Sequence, residues 1–424
     1  MAYLSHWYDK NWRWFLLGCL FLATFLNYFD RQTLGIAITP IAEEFGLSNA
    51  QRGNLLSAFL FTYAGAHLFI GFITDRIKNI RVFFPIMVLG WSVSTILVGF
   101  VQNYESILWL RYLLGIWEAV NFPIGIMLIA KVFPKNERSL ATGIFGSGAF
   151  VATLLAPKMV IFFSNHYDWR VSFVFAGSLG ILWLIPWFFV LRDPNKRSSL
   201  LNSSNEEKVK LPVGSPMEVL RSPGTWIVAI MGIGLIPCLY FSTQWLPTYF
   251  TDVLDLPYDQ QLGNFLLIIY LMLDTGLWVG GYIVMRLAKS GTSILMSRKI
   301  VIGIAYLMIL VVLVVPYLQN ISLIVFAFAL FVFGIGMFLA NQHAFKQDVV
   351  VNQVAAVAAI VGFTEMMFTA FVIKEIGIWS NVSENYYFVF YMLSGFITLA
   401  VVVVFLFVNT RWFKLSENQT SLLK

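Results

Sequence analysis

Charge is scarce in this sequence. Of its 424 residues only 12% are Asp, Glu, Lys or Arg, against roughly 25% in a soluble globular chain, which excludes an ordinary cytosolic domain. Cysteine is scarcer still. Cys19 and Cys238 both lie in apolar runs without CxxC spacing, so there is no disulfide framework and both read as small buried hydrophobes. The four histidines, His6, His67, His166 and His343, are too scattered for a metal-ligand set, and no Ser-His-Asp grouping suggests nucleophilic catalysis. Neither an enzyme nor a cofactor is expected. The segment Met1 to Arg13 is polar and aromatic and no small-residue cleavage site follows it, so the first apolar run reads as a retained span.

What is abundant is apolar surface. The chain is 59% hydrophobic with a mean hydropathy of +0.77, and its 40 Phe and 14 Trp suit side chains that face lipid and its interface. Runs long enough to cross a bilayer predict twelve spans, near 14–39, 53–74, 82–102, 105–131, 139–163, 169–191, 225–250, 261–285, 297–317, 320–343, 353–378 and 385–409. The formal charge of +6 then reports topology and not a nucleic-acid partner. With these spans about 22 of the 28 Lys and Arg fall on the side that holds the N-terminus, including Arg76, Lys78, Arg81, Lys131, Lys135, Arg138, Arg286 and Lys289. Both termini are expected in the cytoplasm.

One long polar stretch, Asp193 to Ser222, divides the chain. It predicts a six-helix bundle over 1–192, a cytoplasmic linker over 193–222, a second six-helix bundle over 223–410 and a cytoplasmic tail over 411–424. The halves echo each other weakly: Gly71 and Arg76 after the second span match Gly281 and Arg286 after the eighth. Six-span repeats of this kind mark a transporter that rocks two bundles about a central site. Small residues in the fifth span (Gly143, Gly146, Ser147, Gly148) and eleventh span (Ala355 to Ala359, Gly362) are read as close helix packing.

Against this apolar background the intramembrane charges stand out. Asp30 and Arg31 lie side by side, Asp30 about 24 Å along the first span from Trp14 and so well inside the hydrocarbon. Arg111 and Glu118 are seven residues apart in the fourth span, on one helix face and about 10 Å apart along its axis. Ionised groups at such depth cost several kcal/mol unless they meet a partner or a water-filled cavity, and intramembrane ionisable residues default to function. A static ion pair that only locks the bundle is the competing reading. Burial favours a neutral carboxyl and a neighbouring arginine favours the carboxylate, so a carboxylic substrate competing for the arginine would promote protonation of the acid. Tyr63, Gln244 and Asn341 are polar tips within apolar spans, suited to hydrogen-bonding a polyol or another helix. Asp274 suggests a gating or interbundle contact. Lys158 reads equally as a cavity cation and as a snorkelling side chain, and Glu365 has no evident partner.

Several motifs then converge. Gly71-x-x-x-Asp75-Arg76 resembles the loop motif between spans two and three of the major facilitator superfamily. Taken with Asn27-Tyr28-Phe29-Asp30-Arg31, Arg111-Tyr112-Leu113-Leu114-Gly115-x-x-Glu118-Ala119, Phe133-Pro134-x-x-Glu137-Arg138 and Trp245-Leu246-Pro247-x-Tyr249, it resembles the anion:cation symporter branch, whose bacterial members carry hexuronates, galactonate and glucarate and to which sialin-type carriers are related. The resemblance covers nearly the whole chain. It implies an all-α, twelve-span fold of two six-helix bundles, each built from 3+3 inverted repeats. It matches Asp30 and Glu118 to proton-coupling acids, Arg31 and Arg111 to substrate or coupling arginines, and Tyr63 to a substrate-cavity tyrosine. Asn341, seven residues before Asp348, and Ser297-Arg298-Lys299 resemble the hexuronate group. Gly71, Asp75 and Arg76 correspond to the cytoplasmic closure. The sequence departs from the branch at Gly146-Ser147-Gly148 and Ala149, and at Lys78, where a glycine is usual. The short loop from Thr39 to Asn49 suits a bacterial inner membrane and not an animal carrier. The expectation is a monomeric, proton-coupled importer of a sugar acid (hexuronate, aldonate or aldarate). Another carboxylate (an aromatic acid, dicarboxylate, sialic acid or siderophore-like anion) is the alternative, and a non-transporting nutrient sensor the remote one.

Overall fold

Inside a bilayer no water satisfies backbone N–H and C=O groups, so a segment that crosses it must bond to itself, as a helix does. The computed structural model of the chain describes residues 2–74, 79–134, 136–192, 216–350, 353–382 and 386–409, and among them there is no β-strand. Among the described residues twelve helices are long and apolar enough to cross a membrane: α1 (Asn11–Phe45), α2 (Asn49–Ile70), α3 (Ile80–Val98), α4 (Tyr104–Val132), α5 (Leu140–His166), α6 (Trp169–Val190), α7 (Pro223–Asp252), α8 (Gln260–Lys289), α9 (Ile294–Tyr317), α10 (Ile321–Asp348), α11 (Ala356–Ser380) and α12 (Tyr387–Phe407). Each coincides with a span expected from hydropathy. The protein is an integral membrane protein.

The chain separates into two compact units, one of Met1–Phe45 and Phe61–Lys210, the other of Gly46–Leu60 and Leu211–Lys424. The first half of α2 thus groups with the second unit.

In the first unit α1 packs on α5 and α3 on α6. Gly148 makes the former contact possible: a Cβ there would strike the Phe21 carbonyl and crowd the Phe25 nitrogen at 3.0 Å. Gly143 and Gly146, in the same small-residue run, have nothing within 4 Å of where a Cβ would stand. Phe84 of α3 meets the edges of Trp183 and Trp187 of α6 at 5.5 and 5.2 Å. Both indoles also satisfy their N–H groups, Trp183 donating to the Cys19 carbonyl (2.7 Å) and Trp187 to that of Arg81 (3.1 Å), as buried tryptophans require.

In the second unit α8 and α10 run backbone to backbone. Gly336 of α10 lies against the Leu273 carbonyl and the Leu277 nitrogen of α8, leaving no room for a side chain. An aromatic cluster also fills the core of this unit, where Tyr249 meets Phe328, Tyr386 and Phe390 at 5.4–5.5 Å. Arg52 pairs with Asp252 here, while in the first unit Arg170 pairs with Glu44 (2.6 Å).

Among the described residues three helices are interrupted. α4 loosens into a turn at Ala119–Val120. The residue four positions after Ala119 is Pro123, which has no N–H for the Ala119 carbonyl. α7 contains a π-helical turn, Phe241–Trp245, followed by Pro247, which leaves the Thr243 carbonyl without its helical donor in the same way. α9 ends in a 3₁₀ stretch, Leu310–Tyr317, containing Pro316. Breaks of this kind survive in a membrane where neighbouring side chains re-satisfy the freed carbonyls.

The glycine contacts lead to a direct test. Gly336→Leu should lower the melting temperature of the detergent-solubilised protein, since overpacking of a tight contact costs about 1–3 kcal/mol. Gly143→Ala, which meets open space, should leave it unchanged. Equal melting temperatures for Gly336→Leu and the parent chain would contradict the packing described.

Candidate functional site

The site forms where α1 faces the break in α4. Thr24, Asn27 and Arg31 follow one another at helical spacings of three and four, so they share a face. All three engage α4. Asn27 Nδ2 donates to the Glu118 carbonyl (3.4 Å), and Thr24 Oγ1 accepts from Asn121 Nδ2 (3.1 Å). His67 of α2 places Nδ1 3.4 Å from the Ala119 carbonyl, the one that Pro123 leaves without a helical donor. Polar side chains from two helices therefore hold the interrupted turn.

At its centre Arg31 Nε donates to Glu118 Oε2 at 2.7 Å. Arg31 is 6% exposed and Glu118 is fully buried. The guanidinium is also stacked: its Cζ lies 4.7 Å from the Tyr28 ring centroid and 4.3 Å from that of Tyr63, each such contact contributing about 0.5–2 kcal/mol as the cation loses water. Tyr63 in turn stacks on His67 at 5.5 Å. A flat cation held between two aromatic faces is fixed in position.

Asp30 and Arg111 are each 2% exposed. The charges of Arg111 and Glu118 act on each other and on those of Asp30 and Arg31. When all four are ionised, two carboxylates balance two guanidiniums and the cluster is formally neutral. Asp30 Oδ1 and Glu118 Oε1 are buried and accept no hydrogen bond among the described residues. Each carboxyl therefore keeps an oxygen available to a proton.

The structure thus brings Asp30, Arg31, Tyr63, Arg111 and Glu118 together. The other residues singled out in the sequence lie elsewhere. In the second unit, Gln244 sits in the π turn of α7, 4% exposed, with Oε1 accepting no hydrogen bond among the described residues. Tyr270 Oη reaches the Thr243 carbonyl beside it at 3.5 Å. Asn341 is buried and donates Nδ2 to the Met337 carbonyl of its own helix at 2.9 Å. Asp274 is half-buried in α8. No hydrogen bond joins these three among the described residues. Lys158 is exposed, outside the buried cluster. Asp75 and Arg76 lie outside the described residues, and of Gly71 only the helical backbone is described.

Two features escaped sequence reasoning. His67, Thr24 and Asn121 complete the clamp on α4, and the signal that could have found them is Pro123, five residues after Glu118. Glu365 proves to be paired, with Lys346 Nζ (2.8 Å) and Gln342 Nε2 (2.9 Å). Arg298 of the Ser-Arg-Lys motif pairs with Asp348, so the two motifs that resemble the hexuronate group meet.

The chain is 27% identical over 341 residues to the D-galactonate transporter of Escherichia coli O6:H1, an alignment covering 76% of this chain and 79% of the relative. It is 23% identical over 315 residues to the hexuronate transporter of Escherichia coli K12, covering 71% and 72%. Among solved structures, a bacterial homologue of the human lysosomal transporter Spinster, inward-facing and unoccupied, superposes with a TM-score of 0.80 at 17% identity, over 94% of this chain and 97% of that one. Residues 20–373 match the Major Facilitator Superfamily, and with twelve membrane helices and a superposition over nearly its whole length, the chain belongs to that superfamily of transporters and is not an enzyme.

Proposed function

We propose that this transporter imports an organic anion, a sugar acid, together with protons across a bacterial inner membrane by alternating access, with both termini in the cytoplasm. The observation that carries this reading is the buried Arg31–Glu118 pair with its spare carboxylate oxygen. A cargo carboxylate matches the flat guanidinium of Arg31 as well as Glu118 does. If the cargo displaces Glu118, the freed carboxylate is left buried and unpaired, a state it escapes by taking a proton. Cargo and proton then enter together, one negative and one positive charge, and the cluster stays neutral. Asp30 is the second acid of the cycle, and Arg111 supplies the second cation. The relatives named for D-galactonate and hexuronate support a cargo bearing a carboxylate and several hydroxyls. Tyr63, Gln244 and Asn341 are each proposed as hydroxyl contacts, and Gln244 keeps its side-chain oxygen without a donor. Gly71, Asp75, Arg76 and Asp274 are assigned to gating.

Purified protein in liposomes, under an inward proton gradient, should accumulate one of D-galactonate, glucuronate, galacturonate or glucarate. Benzoate, sialic acid and glucose serve as comparisons, and a protonophore should abolish the accumulation. Uptake of benzoate alone, or accumulation that survives the protonophore, would overturn the reading.

Glu118→Gln removes the titrating group and keeps its shape. It should retain exchange of labelled for unlabelled cargo while gradient-driven accumulation falls at least tenfold. Undiminished accumulation by this variant would end the proton role of Glu118. Arg31→Lys keeps the charge but loses the planar fork and its stacking between Tyr28 and Tyr63. Its KM should rise about ten- to a hundredfold, the equivalent of roughly 1.4–3 kcal/mol, with a melting temperature near that of the parent. An unchanged KM would remove Arg31 from the cargo site.

A further inference from the structure

The second unit contains a buried ion pair that the reading above does not use. Glu365 of α11 is 4% exposed, Lys346 of α10 8%, and Gln342, one turn before Lys346, is fully buried. Lys346 Nζ donates to Glu365 Oε1 at 2.8 Å, and Gln342 Nε2 donates to Glu365 Oε2 at 2.9 Å. Gln342 Oε1 is buried and accepts nothing among the described residues. Gly232 of α7 gives the group its room: a Cβ there would strike Glu365 Oε2 and come within 2.6 Å of Gln342 Nε2.

The idle oxygen of Gln342 is informative. A buried amide that served only to fix a carboxylate would leave a costly orphan acceptor. The same amide serves two states of its neighbour. As placed, its N–H groups satisfy the carboxylate. Turned by half a rotation about its last bond, it presents Oε1 to Oε2 of Glu365, where it would accept the O–H of the protonated acid. Lys346 has a matching freedom. It lies two residues from the end of α10, so its four-carbon stem lets the ammonium withdraw toward the interface when Glu365 no longer holds it.

Among the described residues the surroundings supply no competing charge. Elements packed on α11 are α7, α10, α12, the short helix Pro216–Arg221 and the start of α2, where Gly53 meets the Lys374 carbonyl. α7 offers Gly232 at this level, with Cys238 and Tyr240 further along and Asp252 at its far end, paired with Arg52. α12 carries Tyr387 and Tyr391 and no Asp, Glu, Lys, Arg or His. The short helix has Arg221 and Glu218, the latter bonded to Gln353. On α10 His343 is exposed, and Asp348 is paired with Arg298. On α11 itself Lys374 and Glu375 lie more than two turns away.

We infer that Glu365 is a proton-binding carboxyl of the second unit, additional to Asp30 and Glu118, whose loaded and unloaded forms are both satisfied by Gln342, with Lys346 as the cation it releases on loading. Its coupling to cargo movement rests on the transport reading above, whereas its proton binding does not. Protonation adds H⁺ to Glu365 and moves no other bond. The second unit then holds one uncompensated positive charge until Lys346 reaches the interface or meets an anion.

The test reads the proton directly. Infrared difference spectra of the full chain in lipid, taken between acidic and alkaline pH, should show a protonated-carboxyl band that disappears in Glu365→Gln and persists in Asp30→Asn. If Glu365→Gln fails to fold, Glu365→Gln/Lys346→Met replaces it, because removing both partners leaves no buried charge. A full set of carboxyl bands in either Glu365 variant overturns the inference, whatever the protein transports. In vesicles loaded with a pH dye and given D-galactonate or glucuronate, the double variant should still exchange cargo but take up one proton fewer per cargo. An unchanged ratio overturns the coupling. A lost infrared band with a wild-type protein that carries neither acid sustains the proton site and rejects the transport reading.

Discussion

Moving a guanidinium or a carboxylate out of water costs several kcal/mol even after the protein relaxes, and a partner at hydrogen-bond distance offsets that cost only when its geometry is good. In this protein that constraint organises the first unit. Arg31 cannot stand alone at the depth at which α1 places it, so α4 must bring Glu118 to within 2.7 Å. The rings of Tyr28 and Tyr63 then close over the faces of the cation. The rotation of α1, the docking of α4 and the position of α2 near Tyr63 all follow from satisfying one charge. Removing either partner would leave the other buried and unpaired, a loss of about 3–5 kcal/mol. A charge pair that holds helices together so firmly is also a sensitive trigger, because anything that competes for Arg31 acts on the packing of three helices at once.

The helix interruptions obey the same rule applied to the backbone. Pro123 and Pro247 each deprive a carbonyl of its i+4 donor, Ala119 in α4 and Thr243 in α7. A neighbouring helix supplies a substitute in each case, the His67 ring to Ala119 and the Tyr270 hydroxyl to Thr243. Two of the residues proposed for cargo and coupling stand beside these breaks, Glu118 immediately before Ala119 and Gln244 immediately after Thr243. An interrupted turn gives a side chain a direction that a regular helix would not, and its local strain is confined to sites where a polar neighbour is already present.

Much of this was legible in the chain. Hydropathy placed all twelve spans because a bilayer-length apolar run has few alternatives. The four charges Asp30, Arg31, Arg111 and Glu118 were visible because each is an exception within such a run. What the sequence could not convey was pairing. Asp30 is chemically as good a partner for Arg31 as Glu118 is, and only the approach of α4 to the Arg31 face of α1 decides between them. Glu365 lacked a visible partner for a related reason: Lys346 is 19 residues earlier, near the end of another helix, where a lysine ordinarily reads as an interfacial anchor. The linked pair Arg298–Asp348 joins two motifs 50 residues apart, a separation across which spacing carries no geometric information. His67 carries no signal by itself, because a lone histidine in an apolar run is uninformative without the carbonyl that Pro123 frees opposite it.

The two units solve the problem of a buried charge with different cations, and the difference has consequences. A guanidinium keeps its proton in a protein, is planar and is pinned here by two aromatic rings, so in the first unit the cation is constant and the carboxyls are what change. An ammonium on a flexible stem near a helix end has another way out, through movement of the stem to the interface. The Arg31 cluster therefore suits recognition of a carboxylate, in which a fixed fork selects the shape of its partner. The Lys346–Glu365 pair suits a change of protonation, in which the cation withdraws and the amide of Gln342 turns to meet the acid. An arginine in place of Lys346 would bind Glu365 in a fixed geometry and remove that freedom. A lysine in place of Arg31 would give up the flat surface proposed to meet the cargo.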